Sequence, residues 1–285
     1  MLTCERLDGP LVRCQQCGLM YVGQRRHDFT FATTDQGKSR ALAARVEALG
    51  LVDASVEAAE GPWREKLFAD RLRRLQRFIR HGRLLEIGCA TGEFLQLAAQ
   101  AGFQVAGVEP DPQTSALARD RHRLDVTTGT LPEAAYPANR FDVVVMLHVL
   151  EHLDSPRQTL HEVHRLLNSG GILLIETPNI QTIWFRLLKT RWRQLIPDHY
   201  FFFTPHTLSR LLELTGFRPL QITSVGKPMS VRLFTDRLRR MSPPLGKILT
   251  HLIHALRLQD RTLHLNLGDI MLAFAQKTPS TIIEP

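Results

Sequence analysis

One stretch constrains the fold of this chain more than any other, the nine residues from Leu84 to Gly92, which read Leu-Leu-Glu-Ile-Gly-Cys-Ala-Thr-Gly. An apolar run ends at a carboxylate, a turn with spaced glycines follows, and an amphipathic helix is predicted from Glu93. Because glycine has no Cβ, such a turn lets backbone N–H groups approach a ligand closely. The stretch therefore predicts a strand, a ligand-binding turn and a helix.

A second carboxylate follows at the spacing of one βαβ unit. The next apolar run ends at Glu109, 23 residues after Glu86, where an acid can accept two ribose hydroxyls. The turn lacks the Gly-x-Gly-x-x-Gly pattern of dinucleotide enzymes. A carboxylate at its mouth disfavours a pyrophosphate and suits an ammonium or a sulfonium group. The two acids therefore predict a site for a positively charged nucleoside.

Strands and helices alternate through the middle of the chain. This alternation predicts an α/β fold in which a parallel sheet has helices on both faces. Ligands bind beyond the carboxyl ends of the strands in such sheets. We predict strands near 83–87, 104–109, 125–128, 141–147, 171–177, 219–225 and 269–275, and helices near 93–101, 112–121, 156–167 and after Thr204-Pro205.

Four motifs in this order resemble the class I S-adenosylmethionine-dependent methyltransferases over about residues 81–217. They are the Leu84–Gly92 turn, Val-Glu-Pro-Asp at 108–111, the run Phe141–His152, and the run Leu166–Ile175. The resemblance implies a Rossmann-like sheet of seven strands whose last strand is antiparallel and lies beside the sixth. It implies S-adenosylmethionine as cofactor, although Ala90 stands where the family often has glycine. The implied cofactor-binding residues are Glu86, Gly88, Cys89, Ala90, Thr91, Gly92, Glu109, Pro110, Asp111, Thr130, Leu131 and Leu147.

Three polar residues, His148, Glu151 and His152, follow the fourth core strand and are candidates for catalysis. Neutral imidazole titrates near physiological pH, so either histidine could be a general base. Their spacing is similar to the Glu-x-x-Glu-His of quinone-biosynthesis O-methyltransferases of the UbiG type, which implies a divalent ion; the histidine in place of the first carboxylate disfavours Mg²⁺. Alternatively, Glu151 and His152 cap the following loop and helix. His199 is predicted to be a second base, or a structural histidine bonded to Asp198 or to the backbone.

A Cys-x-x-Cys pair near the N-terminus is typical of one knuckle of a zinc ribbon. It consists of Cys14 and Cys17, and Cys4 has the spacing of one cysteine of the missing pair, whose other position is Met1. Either the true start lies upstream, or a degenerate ribbon is held by packing alone. The three cysteines are thus candidate zinc ligands. The cysteine usage and the lack of a signal-peptide pattern predict a reducing, cytoplasmic location.

Charge is distributed unevenly along the chain. Residues 84–180 contain 12 Asp and Glu against 6 Arg, a net charge of −6, whereas the whole chain carries +8. The predicted organisation is a zinc-ribbon-like segment (1–30), a helical segment (31–80), a methyltransferase core (81–225) with a lid (178–205), a basic helical insertion (226–265) and the last strand and tail (266–285). The insertion contains an apolar stripe at helical spacing. We expect this stripe to pack on the sheet or on a second subunit; alternatively, the insertion contacts an anionic membrane surface or a polyanionic substrate.

These observations predict a methyltransferase that acts on an oxygen of a small molecule, a glycan or a lipid-linked intermediate, with a histidine as general base. An RNA methyltransferase is the second hypothesis, because the flanks are basic. The fourth strand does not end in the Asn/Asp-Pro-Pro-Tyr signature of base methylation, so a nucleic-acid substrate is disfavoured. A non-catalytic scaffold protein that binds the cofactor is the third. The sequence leaves the acceptor and the oligomeric state open.

Overall fold

A mixed sheet of seven strands forms the centre of the computed structural model, which describes residues 7, 9–24, 54–231, 249–250, 253, 255–256 and 262–279. The strands are β1 (Leu11–Arg13), β2 (Met20–Val22), β3 (Gly82–Ile87), β4 (Phe103–Glu109), β5 (Val126–Thr128), β6 (Phe141–Leu147), β7 (Leu167–Pro178), β8 (Phe201–Phe202), β9 (Phe217–Ser224), β10 (Lys227–Ser230), β11 (Thr262–Leu265) and β12 (Ile270–Lys277). The helices are α1 (Ala54–Leu75), α2 (Glu93–Gln100), α3 (Pro112–His122), α4 (Pro156–Leu166), α5 (Ile183–Leu188) and α6 (Pro205–Leu214), with short 3₁₀ turns at Leu150–His152 and Lys189–Arg191.

The strand order of the central sheet is β5-β4-β3-β6-β7-β12-β9. Strands β3 to β7 pair in parallel, and β12 runs antiparallel to both of its neighbours, β7 and β9. The predicted seven-stranded sheet, with its last strand antiparallel beside the sixth, is confirmed. The carboxyl ends of β3, β4 and β6 therefore meet at one edge.

The central strands are mostly apolar because helices cover both faces of the sheet. Successive residues of β6 point to opposite faces: Val143 joins a cluster that includes Leu75 of α1 and Phe94 of α2, while Val144 joins a cluster that includes Leu160 of α4. Both valines are fully buried. This two-sided core holds the strand ends, and hence the site, in fixed positions.

Two helices next to the site begin at the side-chain caps that their sequences predict. Asp111 accepts the backbone N–H of Thr114 at 2.7 Å at the start of α3, and Thr204 caps α6 through Thr207. Helix α6 is followed by Gly216, whose φ of +85° is a conformation that favours glycine.

A small second sheet joins the hairpin of β1 and β2 to strand β8, which lies in the predicted lid. Strands β1 and β2 form a hairpin, and β2 pairs with β8 through Met20–Phe202 and Tyr21–Phe201. A third sheet corrects one expectation: the described ends of the predicted helical insertion are strands, β10 and β11, which pair antiparallel. Cys4 and half of the amphipathic stripe predicted in this insertion lie outside the described residues. Among those residues, no helix combines the length and apolar character that crossing a bilayer requires.

Candidate functional site

The turn after β3 has the backbone that its glycines predicted. Gly88 and Gly92 have φ values of +71° and +84°, and Ala90 between them has a φ of +46°. A Cβ on Gly88 would lie 2.6 Å from Cγ2 of Val149, so the turn packs directly against the residues that follow β6. The cofactor turn and the polar residues after β6 are therefore immediate neighbours.

Glu109 connects the tip of β4 to this turn. One carboxylate oxygen accepts the N–H of Ala90 at 2.9 Å and the other accepts the N–H of Asp111 at 3.0 Å. Burial raises the pKa of Glu109, and the two N–H bonds partly oppose that rise. Since each carboxylate oxygen can accept a second hydrogen bond, the oriented group can still receive a pair of hydroxyls.

Glu86 lies on β3 just before the turn, and its side chain is 3% exposed. Its Oε2 has no hydrogen-bond partner in the part of the chain that the structure describes. Burial raises the pKa of Glu86 well above its usual value, and the charges of Glu93 and Glu109 raise it further. A buried, unpaired carboxylate oxygen is costly, so this position fits a ligand that brings an ammonium group.

Two residues expected to bind the cofactor face the core instead. The sulfur of Cys89 lies 2.7 Å from where a Cβ on Gly107 would be, and burial raises the pKa of this thiol, so only its backbone can face a ligand. Leu131 is buried in the hydrophobic core. Thr130 donates its N–H and its hydroxyl to Glu133. Side chains that remain partly exposed at this edge belong to Ala90, Thr91, Pro110, Asp111, Thr130 and Leu147.

His148 lies between two buried carboxylates. Its Nδ1 is 3.2 Å from Oε1 of Glu151, and its Nε2 is 3.1 Å from Oε1 of Glu176. Burial would raise the pKa of each carboxyl, but the hydrogen bond and charge of His148 outweigh it and bring both to about 2. Because an ionised carboxylate can only accept hydrogen bonds, we expect both ring nitrogens of His148 to donate.

Two members of this network, Glu176 and Arg71, are absent from the sequence prediction. Arg71 of α1 is fully buried and donates to Glu176, to the carbonyl of Gly226 at 3.3 Å and to Asp70 at 2.8 Å. Glu176 could have been found, because it is a single acid within the apolar strand β7. Arg71 could not, because its helix contains several arginines and the sequence does not show which one turns inward.

The side chain of His152 lies next to that of His199, which is two residues before strand β8. Nδ1 of His152 is 2.8 Å from the carbonyl oxygen of Asp198 and 3.2 Å from its Oδ2. Burial opposes the charge on His152, but these contacts prevail and raise its pKa to about 9. His199 donates from Nδ1 to the carbonyl of Gln194 at 2.9 Å, and burial together with the charge of His152 lowers its pKa to about 4. His199 is thus bonded to the lid backbone, one of the two structural roles predicted for it.

A metal ion could be held by Glu151, His152 and His199, whose potential ligand atoms lie within 4.8 Å of one another. Both histidines use Nδ1 for other bonds, which is typical of metal-ligating imidazoles. His148 is not in this group, because its ring nitrogens face Glu151 and Glu176. In the structure, His199 therefore takes the place that the predicted His-x-x-Glu-His cluster gave to His148.

The turn between β1 and β2 contains Cys14 and Cys17. Backbone N–H groups of Cys17 and Gln16 point at the Cys14 sulfur and lower the pKa of that thiol. Such a turn stabilises a thiolate and could supply two of the four ligands of a zinc site. Cys4 lies outside the described residues, so zinc binding stays a prediction.

Several known proteins with similar sequences are methyltransferases. A methyltransferase-domain family matches residues 61–222. A probable S-adenosylmethionine-dependent methyltransferase of Mycolicibacterium smegmatis is 36% identical over 135 residues, 47% of this chain and 51% of that protein. A ubiquinone biosynthesis O-methyltransferase of Azorhizobium caulinodans is 33% identical over 102 residues, 34% of this chain and 40% of that protein. The chain thus spans about half, or less, of the length of these relatives.

Solved structures show the same fold. A SAM-dependent methyltransferase from Archaeoglobus fulgidus aligns with 78% of this chain and 99% of its own, with a TM-score of 0.54 and 22% identity. A putative methyltransferase from Bacillus halodurans aligns with 74% of this chain and 98% of its own, with a TM-score of 0.52 and 16% identity.

Proposed function

Residues 61–222 are an S-adenosylmethionine-dependent methyltransferase domain, so the chain belongs to that family, and we propose that it methylates an oxygen atom of a small acceptor, with His152 as general base. The observation that supports this proposal is the close packing of the turn on the segment that contains His152: a Cβ on Gly88 would lie 2.6 Å from Val149, three residues before His152. We infer from this packing that donor and acceptor sites are adjacent, as a direct transfer of a methyl group requires.

The residues at the turn fit the cofactor. The unpaired oxygen of Glu86 suits its amino-acid ammonium group, and the oriented carboxylate of Glu109 suits its ribose hydroxyls. When bound, S-adenosylmethionine supplies an electrophilic methyl group. Glycine at positions 88 and 92 lets the turn pack closely against Val149, Leu124 and Ala118, which a Cβ would crowd.

An oxygen acceptor needs a group that removes its proton. Of the three histidines, His148 has both ring nitrogens on carboxylates, and His199 is 4% exposed. Asp198 orients His152 through Nδ1 and, with Glu151, raises its pKa to about 9, so the neutral ring that can accept a proton forms as pH rises and kcat should increase with pH up to about 9. The ubiquinone biosynthesis O-methyltransferases among the similar proteins support oxygen as the acceptor atom and a small hydroxylated molecule as the substrate.

The test is a screen of hydroxylated acceptors, including phenols, sugars and lipid-linked forms, that measures release of S-adenosylhomocysteine. With an active acceptor, His152→Gln should lower kcat by about 10²–10⁴-fold, and Asp198→Asn should lower it less. Affinity for S-adenosylmethionine should stay within about twofold. His206→Gln, at an exposed histidine of α6, is the matched control. Wild-type turnover in His152→Gln, or a collapse of cofactor affinity, would contradict the assignment.

A metal-assisted mechanism is the second candidate, favoured by the spacing of Glu151, His152 and His199. It predicts that chelation abolishes turnover, that a divalent metal restores it, and that His199→Ala loses both bound metal and activity. Full activity of metal-free protein would reject this candidate and leave the general base. Stabilisation by the cofactor without turnover of any acceptor would instead favour a scaffold protein.

A further inference from the structure

A series of hydrogen-bonded polar side chains connects helix α1 to the site, and His148 is its one partly exposed member. It runs from Arg71 to Glu176, from Glu176 to His148, and from His148 to Glu151, each link being a hydrogen bond between side chains. Arg71, Glu176 and Glu151 are at most 2% exposed. The second carboxylate oxygen of Glu151 accepts the hydroxyl of Thr177 at 2.9 Å, so this series of hydrogen bonds ends inside the protein.

Arg71 fixes the plane of the Glu176 carboxylate. Its Nε and Nη2 both lie against that group, one on each oxygen, while Nη2 also reaches the carbonyl of Gly226. Burying either charge alone would be strongly unfavourable, so each holds the other in place. A carboxylate fixed in this way presents Oε1 to His148 in one orientation.

His148 depends on Glu176 for its backbone as well as for its ring. Its φ of +57° is unusual for a residue with a side chain, and its N–H donates to the carbonyl of Glu176 at 2.9 Å. Glu176 and Glu151 thus each contact one ring nitrogen of His148. Rotation of Glu176 would release one side of the ring.

We propose that Arg71 is a positioning residue for the methyl transfer: through Glu176 it fixes the place of His148, and through His148 that of Glu151, beside the base His152. The proposal rests on the proposed function for its kinetic consequence. The structural part, that Arg71 holds His148, stands independently of the acceptor.

Kinetics of four variants separate positioning from folding. Arg71→Met leaves Glu176 buried and unpaired and can fail to fold, so Arg71→Met/Glu176→Gln removes both charges together. Both should lower kcat at least about tenfold with KM for S-adenosylmethionine within about twofold, and Arg71→Lys should recover part of the loss. Arg74→Met is the control, because Arg74 lies on the same helix and pairs with Asp70 at the surface. A wild-type kcat in the paired variant would overturn the proposal, since Arg71 would then only neutralise Glu176.

A spectroscopic measurement needs no acceptor. In protein labelled with ¹⁵N-histidine, the ring signals of His148 are assigned by their loss in His148→Gln. Two slowly exchanging ring N–H protons are expected in the wild type, and the one facing residue 176 should exchange rapidly in Arg71→Met/Glu176→Gln. Unchanged ring signals would overturn the proposal even if every turnover assay succeeds. Changed signals without turnover of any acceptor would keep the positioning role and reject the proposed function.

Discussion

Glu109 accepts the backbone N–H of Ala90 at 2.9 Å, so a side chain at the tip of β4 holds the turn that follows β3. The same carboxylate accepts the N–H of Asp111 at the start of α3. One acid thus fixes two backbone segments of the proposed cofactor site, and a bound ribose would meet an acceptor that is already oriented.

Replacing Glu109 with alanine should weaken S-adenosylmethionine binding by about 1–3 kcal/mol, because charge-assisted hydrogen bonds to the ribose are lost. Isothermal titration calorimetry measures the change. Glu162→Ala is the control, since Glu162 lies in α4 and pairs with Arg165 at the surface. Equal affinity in Glu109→Ala and the wild type would show that this acid is not the ribose ligand.

Cofactor binding should release protons through Glu86. Burial raises the pKa of Glu86 in the free protein, and the ammonium of the cofactor should lower it again, so affinity should rise with pH across the interval between the two values. Titrations in buffers of different ionisation enthalpy count the released protons. Cofactor binding to the Glu86→Gln variant should release fewer protons. A proton count that this substitution leaves unchanged would exclude Glu86 as the group that titrates.

The network around His148 should make the protein sensitive to acid. The pKa values of Glu151 and Glu176 are about 2 in the folded chain and near 4.5 when unfolded. Their contribution to stability is therefore complete above about pH 4.5 and is lost as pH falls toward 2. Urea unfolding at several pH values should show this fall, and Arg71→Met/Glu176→Gln should show a smaller one. Glu213→Gln, at an exposed site, should follow the wild type.

Gly88→Ala should destabilise the protein more than Gly102→Ala. Both glycines have a positive φ, which costs a non-glycine residue about 1 kcal/mol or more. A new Cβ at residue 102 meets no atom within 4 Å, whereas at residue 88 it would lie 2.6 Å from Val149, which adds about 1–3 kcal/mol. Chemical denaturation measures the difference, and Gly88→Ala/Val149→Ala should recover part of it. Equal losses at the two sites would mean that the turn can move away from Val149.

The strand tips could be predicted because parallel strands place their carboxyl ends at one edge, so Glu86, Glu109 and His148 had to converge. The directions in which the side chains of the turns point could not be predicted from the sequence. Cys89 and Leu131 are buried in the core, which their spacing in the sequence does not show.

Long-range pairing was the other gap in the sequence prediction. Arg71 and Glu176 are separated by 105 residues, and only the packing of α1 against the sheet brings them together. The ends of the insertion are strands because β10 and β11 pair with each other, although more than thirty residues separate them in the sequence. Local periodicity carries no information about such a partner.

The pairing of β2 with β8 makes the N-terminal hairpin part of the site's support. Tyr21 pairs with Phe201, two residues after His199, and Val22 donates its N–H to the carbonyl of Tyr200. A shortened protein that starts at residue 61, where the family match begins, would leave β8 without its neighbouring strand. The smallest unit that keeps β8 paired is therefore larger than the stretch that matches the family.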